Sequence, residues 1–169
     1  MKLLFFGSSS FAIPSLEAIT SSRHELPAVF TQPARPTGRG KKLKPTDVAE
    51  WANKKNITVI EAPNINKPDM LEKIRSYNAD LLVVIAFGQK ISSEVINAFT
   101  KRAINVHASL LPEYRGAAPV NHAIMDGKTN TGITIITLAE KMDAGDILAT
   151  KETQIEPYDN AGSIHDKLA

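Results

Sequence analysis

The run "ADLLVVIAFG", residues 79–88, decides the fold, because every side chain from Leu81 to Phe87 is apolar. A strand with one wet face alternates polar and apolar residues, so an unbroken run bounded by Asp80 and Gly88 predicts a strand covered on both faces. Such strands belong to parallel sheets flanked by helices. The flanking sequence agrees. "PDMLEKIRSYN" before the run has Leu71, Ile74 and Met70 placed to face inward as an amphipathic helix, and "SSEVINAF" after it reads as another helix. Further out, "KLLFFG", "LPAVFT", "ITVIEAP" and "RAINVHA" read as strands, with "SFAIPSLEAITSS" and "TDVAEWANKKN" as helices between them and Thr46 or Asp47 as an N-cap. This alternation predicts an α/β, Rossmann-like, doubly wound sheet that is mostly parallel. "PVNHAIMDG" precedes the alternating "TGITIITLA", and "ILATKETQI" is placed to pair with it as an antiparallel edge.

Composition excludes several classes of function. With 169 residues and no cysteine, the chain is long enough for one domain, but it has no thiol chemistry, disulfide framework or thiolate metal site. The opening "MKLLFFGSSSF" holds a shorter apolar run than a signal peptide needs, and no segment nears the roughly 20 apolar residues of a membrane span. The expectation is a cytoplasmic protein that engages no membrane. The chain ends at "NAGSIHDKLA", where Ile164 and Leu168 start a helical stripe without a C-cap, so it is expected to be cut in or just after a helix.

Net charge is only +2, but it is unevenly spread. Between Glu25 and Asp47 there is no acidic residue, while "RPTGRGKKLK" supplies Arg35, Arg39, Lys41, Lys42 and Lys44. Prolines and glycines in the same window argue against a helix or a central strand, which predicts a long exposed loop without regular structure. Five uncompensated cations in ten residues repel one another and suit a polyanion such as RNA.

In sheets of this kind ligands bind beyond the carboxyl ends of the strands. Asn105 and His107 end one predicted strand, and their spacing of two puts both side chains on one face. Asp143, in the loop after the next strand, can join them. Each residue alone has a plain structural reading: a hydrogen-bonding histidine, an edge amide, a carboxylate capping a glycine turn. Together they form a donor for an oxyanion, a proton shuttle and a group that orients the shuttle. Ser109 lacks the Gly-x-Ser-x-Gly elbow of a nucleophile, so direct transfer between two bound substrates fits better.

The stretches "INVHASLLPEYRGAAPV" (104–120), "TGITIITLAEKMDAGDIL" (131–148) and "FTQPARPTGRGKKLKPTDV" (30–48) resemble the N-terminal catalytic domain of the methionyl-tRNA formyltransferases, a branch of the 10-formyltetrahydrofolate-dependent formyltransferases. The resemblance covers essentially the whole chain. It implies the formyltransferase fold, with residues 1–169 as a catalytic domain cut at its C-terminal end and the family's barrel-like C-terminal domain absent. It implies Asn105, His107 and Asp143 as the catalytic trio. It implies 10-formyltetrahydrofolate as co-substrate without a metal, held by Phe87, Gly88, Gln89, Ile91, Ser109, Leu110, Leu111, Pro112 and Asp143, with Leu111–Pro112 forming a fixed turn for which a cis bond is a candidate. Arg35, Arg39, Lys41, Lys42 and Lys44 match the loop that grips the acceptor, initiator methionyl-tRNA. A monomer in the cytoplasm, or an organellar matrix, is implied as well. The chain departs from the family pattern at "GSSSFA", where Ser8 and Ser9 stand for Thr and Pro, and at "AEK", residues 139–141.

Three other readings differ in chemistry. A folate-dependent formyltransferase for a small amine, such as glycinamide ribonucleotide or an amino sugar, shares the trio but has no use for the basic loop. A non-catalytic RNA-binding module leaves the trio unexplained. A nicotinamide-binding module lacks Gly-x-Gly-x-x-Gly after the first strand and an acidic residue after the second.

Overall fold

The computed structural model describes residues 1–38 and 40–169; Arg39, expected in the basic loop, lies outside the described residues. The chain divides into two compact units, Met1–Ala103 and Ile104–Ala169.

The first unit contains strands β1 (Lys2–Gly7), β2 (Glu25–Thr31), β3 (Arg35–Thr37), β4 (Lys42–Lys44), β5 (Thr58–Glu61) and β6 (Leu81–Ile85). Its helices are α1 (Ile13–Thr20), α2 (Asp47–Lys54), α3 (Pro68–Ser76) and α4 (Ser93–Ile96), with a 3-10 turn at Ser10–Ala12 before α1. Strands β5-β2-β1-β6 are neighbours in that order and every pair is parallel, as the unbroken apolar runs require. Phe5 lies opposite both Val29 and Val83, and the side chains of Leu4, Phe5, Phe6, Phe30, Leu82 and Ile85 are removed from water. Each such burial contributes roughly 1.5–3 kcal/mol, which makes these strands the stable part of the unit. Helix α2 is capped by Thr46, whose hydroxyl accepts from the Ala49 N–H, and it buries Val48, Ala49, Trp51 and Ala52. In α3, Ile74 is buried while Met70 and Leu71 are half-buried.

The chain runs from β1 outward to β2 and β5, then crosses to β6 on the other side of β1. The reversal creates a switch point at the carboxyl ends of β1 and β6, where a doubly wound sheet opens a crevice. There the Ser8 N–H donates to the Ala86 carbonyl at 3.2 Å, and the Ser8 hydroxyl donates to the Phe87 carbonyl at 3.2 Å.

The expectation of an irregular basic loop is corrected: β3 and β4 form an antiparallel ribbon. Proline is excluded from central strands but tolerated at edges, and a two-stranded ribbon consists of edges only. Its reversal uses positive φ at Gly38 (+69°) and Lys41 (+46°), with the Lys41 N–H donating to the Gly38 carbonyl at 3.2 Å.

Strand β7 (Ala103–His107) leads into the second unit, which holds β8 (Asn130–Thr137), β9 (Ile147–Gln154), α5 (Pro119–Met125) and α6 (Ala161–Leu168). Both β7–β8 and β8–β9 are antiparallel, so the expected antiparallel edge is present. Helix α6 opens with a capping box: the Asn160 side chain accepts from the N–H groups of Gly162 and Ser163, and the Ser163 hydroxyl accepts from the Asn160 N–H. It buries Ile164 and Leu168, the stripe visible in the sequence. Among the described residues no helix is long and apolar enough to cross a membrane.

Candidate active site

Asn105 and His107 occupy alternate positions of β7, opposite Ile136 and Thr134 of β8, so they share one face of the antiparallel sheet. Asp143 reaches them from the β8–β9 loop. The base of this loop is closed by Thr137, whose N–H donates to the Asp146 carbonyl at 2.9 Å and whose hydroxyl accepts from the Asp146 N–H at 2.9 Å. Gly145 is required at this closure, because a β-carbon there would run into the Thr137 carbonyl. Asp143 itself has φ +49°, a conformation sparsely populated by side-chain-bearing residues and kept only where surrounding bonds dictate it.

Those bonds converge on the carboxylate. Oδ2 accepts from the Gly116 N–H at 2.9 Å and lies 3.6 Å from His107 Nδ1, while Oδ1 accepts from Asn105 Nδ2 at 3.5 Å. The His107 and Asp143 side chains are only 7% and 11% exposed, so charge on either is weakly screened by salt. His107 Nε2 donates to the Tyr114 carbonyl at 2.8 Å. A carbonyl only accepts, so Nε2 carries a proton and Nδ1 is the nitrogen turned to the carboxylate. The sequence-derived trio is therefore brought together, with Asp143 between the amide and the imidazole. The cluster can donate hydrogen bonds from Asn105, take up a proton at Nδ1 and hold the resulting imidazolium against a carboxylate.

Residues 109–112 are fastened beside this cluster by a side chain the sequence did not single out. Thr134, fully buried, donates its hydroxyl proton to the Ser109 carbonyl at 2.7 Å and accepts from the Leu111 N–H at 3.1 Å. The Ser109 hydroxyl donates to the Glu113 carbonyl at 2.6 Å, so this serine is engaged in shaping the turn. Leu110 is half-buried, and Leu111–Pro112 is a cis peptide bond. Thr134 had a legible signal, a polar residue at an inward position of an alternating strand. Tyr114 and Gly116 act through backbone groups, which no side-chain pattern reveals.

Phe87, Gly88, Gln89 and Ile91 belong to the first unit. Phe87 is a core residue, tilted against Phe6 at 5.3 Å between ring centroids, and Ile91 is buried. The Gln89 amide is occupied: it donates to the Ala62 carbonyl at 2.7 Å and accepts from the Ile65 N–H at 2.9 Å. Gly88 has φ +79°, and a β-carbon there would strike Gln32 Nε2, which donates to the Phe87 carbonyl at 2.9 Å. The serines of the turn after β1 are both engaged. Besides its bond to Phe87, the Ser8 hydroxyl accepts from the Gln32 N–H at 3.1 Å, and the Ser9 hydroxyl caps the 3-10 turn.

On the ribbon, Arg35 lies opposite Lys44 and Thr37 opposite Lys42, so three of the expected cations share one face. Lys41 sits in the turn, and Leu43, on the opposite face, is 70% exposed. Arg35 donates to Gln32 Oε1, and Lys44 is paired with Asp47 at 3.4 Å. Like charges directly opposite on a ribbon destabilise it. Among the described residues no three His, Asp or Glu side chains are grouped so as to hold a metal ion.

The model of the formyl transferase family matches residues 1–169. The chain is 48% identical to a methionyl-tRNA formyltransferase of Sulfurihydrogenibium sp. (strain YO3AOP1), over 100% of this chain and 55% of that protein. It is 43% identical to one of Moorella thermoacetica, over 100% of this chain and 54% of that protein. The chain thus spans about half the length of the curated relatives it matches. Among solved structures, a phosphoribosylglycinamide formyltransferase from Bacillus halodurans superposes with TM-score 0.82 at 23% identity, covering 99% of this chain and 87% of that one. A glycinamide ribonucleotide transformylase from Symbiobacterium toebii gives 0.81 at 17% identity, covering 99% and 80%. These likenesses show the fold, a mostly parallel α/β sheet with an antiparallel edge, and the family model matches the chain from end to end: the chain belongs to the formyl transferase family.

Proposed function

We propose that this chain is the catalytic part of a protein that transfers the formyl group of 10-formyltetrahydrofolate to the α-amino group of methionyl initiator tRNA. The observation that carries the reading is the single carboxylate of Asp143, set between the Asn105 amide and the His107 imidazole. The names of the relatives at 43–48% identity supply the acceptor. The ribbon supports it, since Arg35, Lys42 and Lys44 share one face, where like charges oppose one another and a run of phosphates would relieve them.

In this mechanism the free amine attacks the formyl carbon, a C–N bond forms and the formyl oxygen becomes an oxyanion. The Asn105 amide has two hydrogens, of which Asp143 takes one, and the other is available to the oxyanion. Loss of one such donor typically costs about 2.7–4 kcal/mol of barrier. The ammonium formed by attack loses its proton to His107 Nδ1, directly or through water, and Asp143 stabilises the imidazolium. As the intermediate collapses, the bond to folate N10 breaks and N10 receives the proton. Ser109, Leu110, Leu111 and Pro112, fastened by Thr134, are the proposed folate contacts of this unit. The remaining parts of the proposal are a cytoplasmic setting, a monomeric state and residues 1–169 as the catalytic domain of a longer chain.

The test is formyl transfer by the full-length protein to charged initiator tRNA and, in parallel, to glycinamide ribonucleotide, with wild type and His107→Ala. Transfer to the tRNA alone, lost in the variant while RNA binding persists, is the expected result. Transfer to the small amine refutes the acceptor, and an active His107→Ala refutes the chemistry.

A further inference from the structure

His107 depends on a backbone carbonyl, and that carbonyl sits in a conformation its own residue disfavours. Tyr114 has φ +55°, in the left-handed region that a β-carbon makes unfavourable, so neighbouring groups must impose it. Three of those groups engage the side chain. The Tyr114 hydroxyl donates to Asp126 Oδ2 at 2.8 Å, just past the end of α5. Its ring lies parallel to the His122 imidazole, within 5° and with centroids 6.4 Å apart. The Lys128 ammonium stands 5.8 Å from the ring centroid and is itself held by the Glu113 carboxylate at 3.0 Å. Burial first, and Asp126 second, push the phenol above its ordinary range. Two residues on, the Gly116 N–H holds Asp143. One short segment thus anchors both titratable members of the trio.

The two neighbours of His107 make opposite demands. The Asp143 carboxylate favours a proton on Nδ1, whereas the Tyr114 carbonyl favours it on Nε2. Only the second tautomer leaves Nδ1 able to take the proton released by an attacking amine. We propose that Tyr114 is a positioning residue for formyl transfer: its side chain, clamped by Asp126, His122 and Lys128, fixes the carbonyl that keeps the His107 proton on Nε2. This inference rests on the proposed function for its catalytic consequence, but the tautomer itself can be measured without any assay of activity.

The experiment uses full-length protein labelled with nitrogen-15 at histidine, the His107 signals being assigned by their loss in His107→Ala. In wild type, at a pH where the ring is neutral, Nε2 is expected to read as protonated and Nδ1 as unprotonated. Tyr114→Ala is expected to move the proton to Nδ1 or average the two, and to lower kcat about 10- to 100-fold, a part of the roughly 10²- to 10⁴-fold that a positioned acid–base group contributes. KM for folate stays near wild type. Tyr114→Phe, which keeps the ring stacked, restores much of the Nε2 population and of kcat. If folded Tyr114→Ala keeps the proton on Nε2, the proposal is overturned even where activity falls. Should that variant fail to fold, Tyr114→Phe and Asp126→Ala carry the test. A partial tautomer shift in either supports the clamp, and wild-type tautomers in both overturn it. A fully active His107→Ala sinks the proposed function instead, and leaves the tautomer result standing.

Discussion

Asp143→Asn keeps the shape of the residue and removes its charge, which isolates the electrostatic role assigned to it. In the resting protein the change is mild: the amide oxygen can still accept from the Gly116 N–H now bonded at 2.9 Å, and Asn105 stands at 3.5 Å, so stability falls by about 1 kcal/mol. In the reaction the loss is larger. An imidazolium proton on Nδ1 faces the carboxylate across 3.6 Å, and with both side chains nearly buried an effective dielectric near 20 gives about 4–5 kcal/mol. At 1.36 kcal/mol per decade this slows transfer by about three orders of magnitude. Single-turnover formyl transfer by the full-length protein measures it, with urea unfolding run alongside to confirm an intact fold. A folded variant within tenfold of the wild-type rate would refute the argument and reduce Asp143 to an acceptor for a loop amide.

Gly145→Ala forces the Asp143 loop off the Thr137 carbonyl; denaturant unfolding should show a loss of about 1–3 kcal/mol, accompanied by slower transfer. Unchanged stability would mean that the loop has room to spare. Neutralising Arg35, Lys42 and Lys44 together should weaken RNA binding and flatten the log–log salt dependence by roughly 0.7–0.9 for each phosphate no longer neutralised, with folate affinity constant. A retained salt slope removes the ribbon from the RNA interface. Hydrogen bonds from Lys167 first, then from the Glu156 N–H and the Ser163 hydroxyl, lower Asp159 from 3.8 to about 2. A depressed carboxyl contributes stability above its unfolded pKa and loses it as pH falls through the folded value, so acid sensitivity between about pH 5 and 2 should be shallower in Asp159→Asn than in wild type. Parallel pH profiles in urea unfolding would contradict this.

Parallel strands, antiparallel edge and the Asn105–His107 pair were legible from sequence because each depends on a periodicity. An unbroken apolar run, as in Leu81–Ile85, has only one economical location, and a spacing of two on a strand places side chains on one face wherever the strand lies. Helix starts were legible for a similar reason, since Thr46 caps its own helix within four residues. The basic window differs from its sequence pattern in one respect. Its glycines and prolines exclude a central strand, yet Pro36 fits the edge of a ribbon, and pairing Arg35 with Lys44 depends on where the chain reverses.

Residue type and periodicity determined the fold class, the face carrying Asn105 and His107, and the cationic character of the ribbon. Tertiary structure decided how the trio is connected. Whether the Asp143 carboxylate meets His107 Nδ1 or Nε2 depends on Thr137 closing a loop over Gly145, and on a tyrosine carbonyl seven residues beyond the histidine. Those contacts join backbone groups to side chains brought together from separate strands. A backbone carbonyl is the same in every residue, so nothing in the order of amino acids marks the one that holds a proton in place.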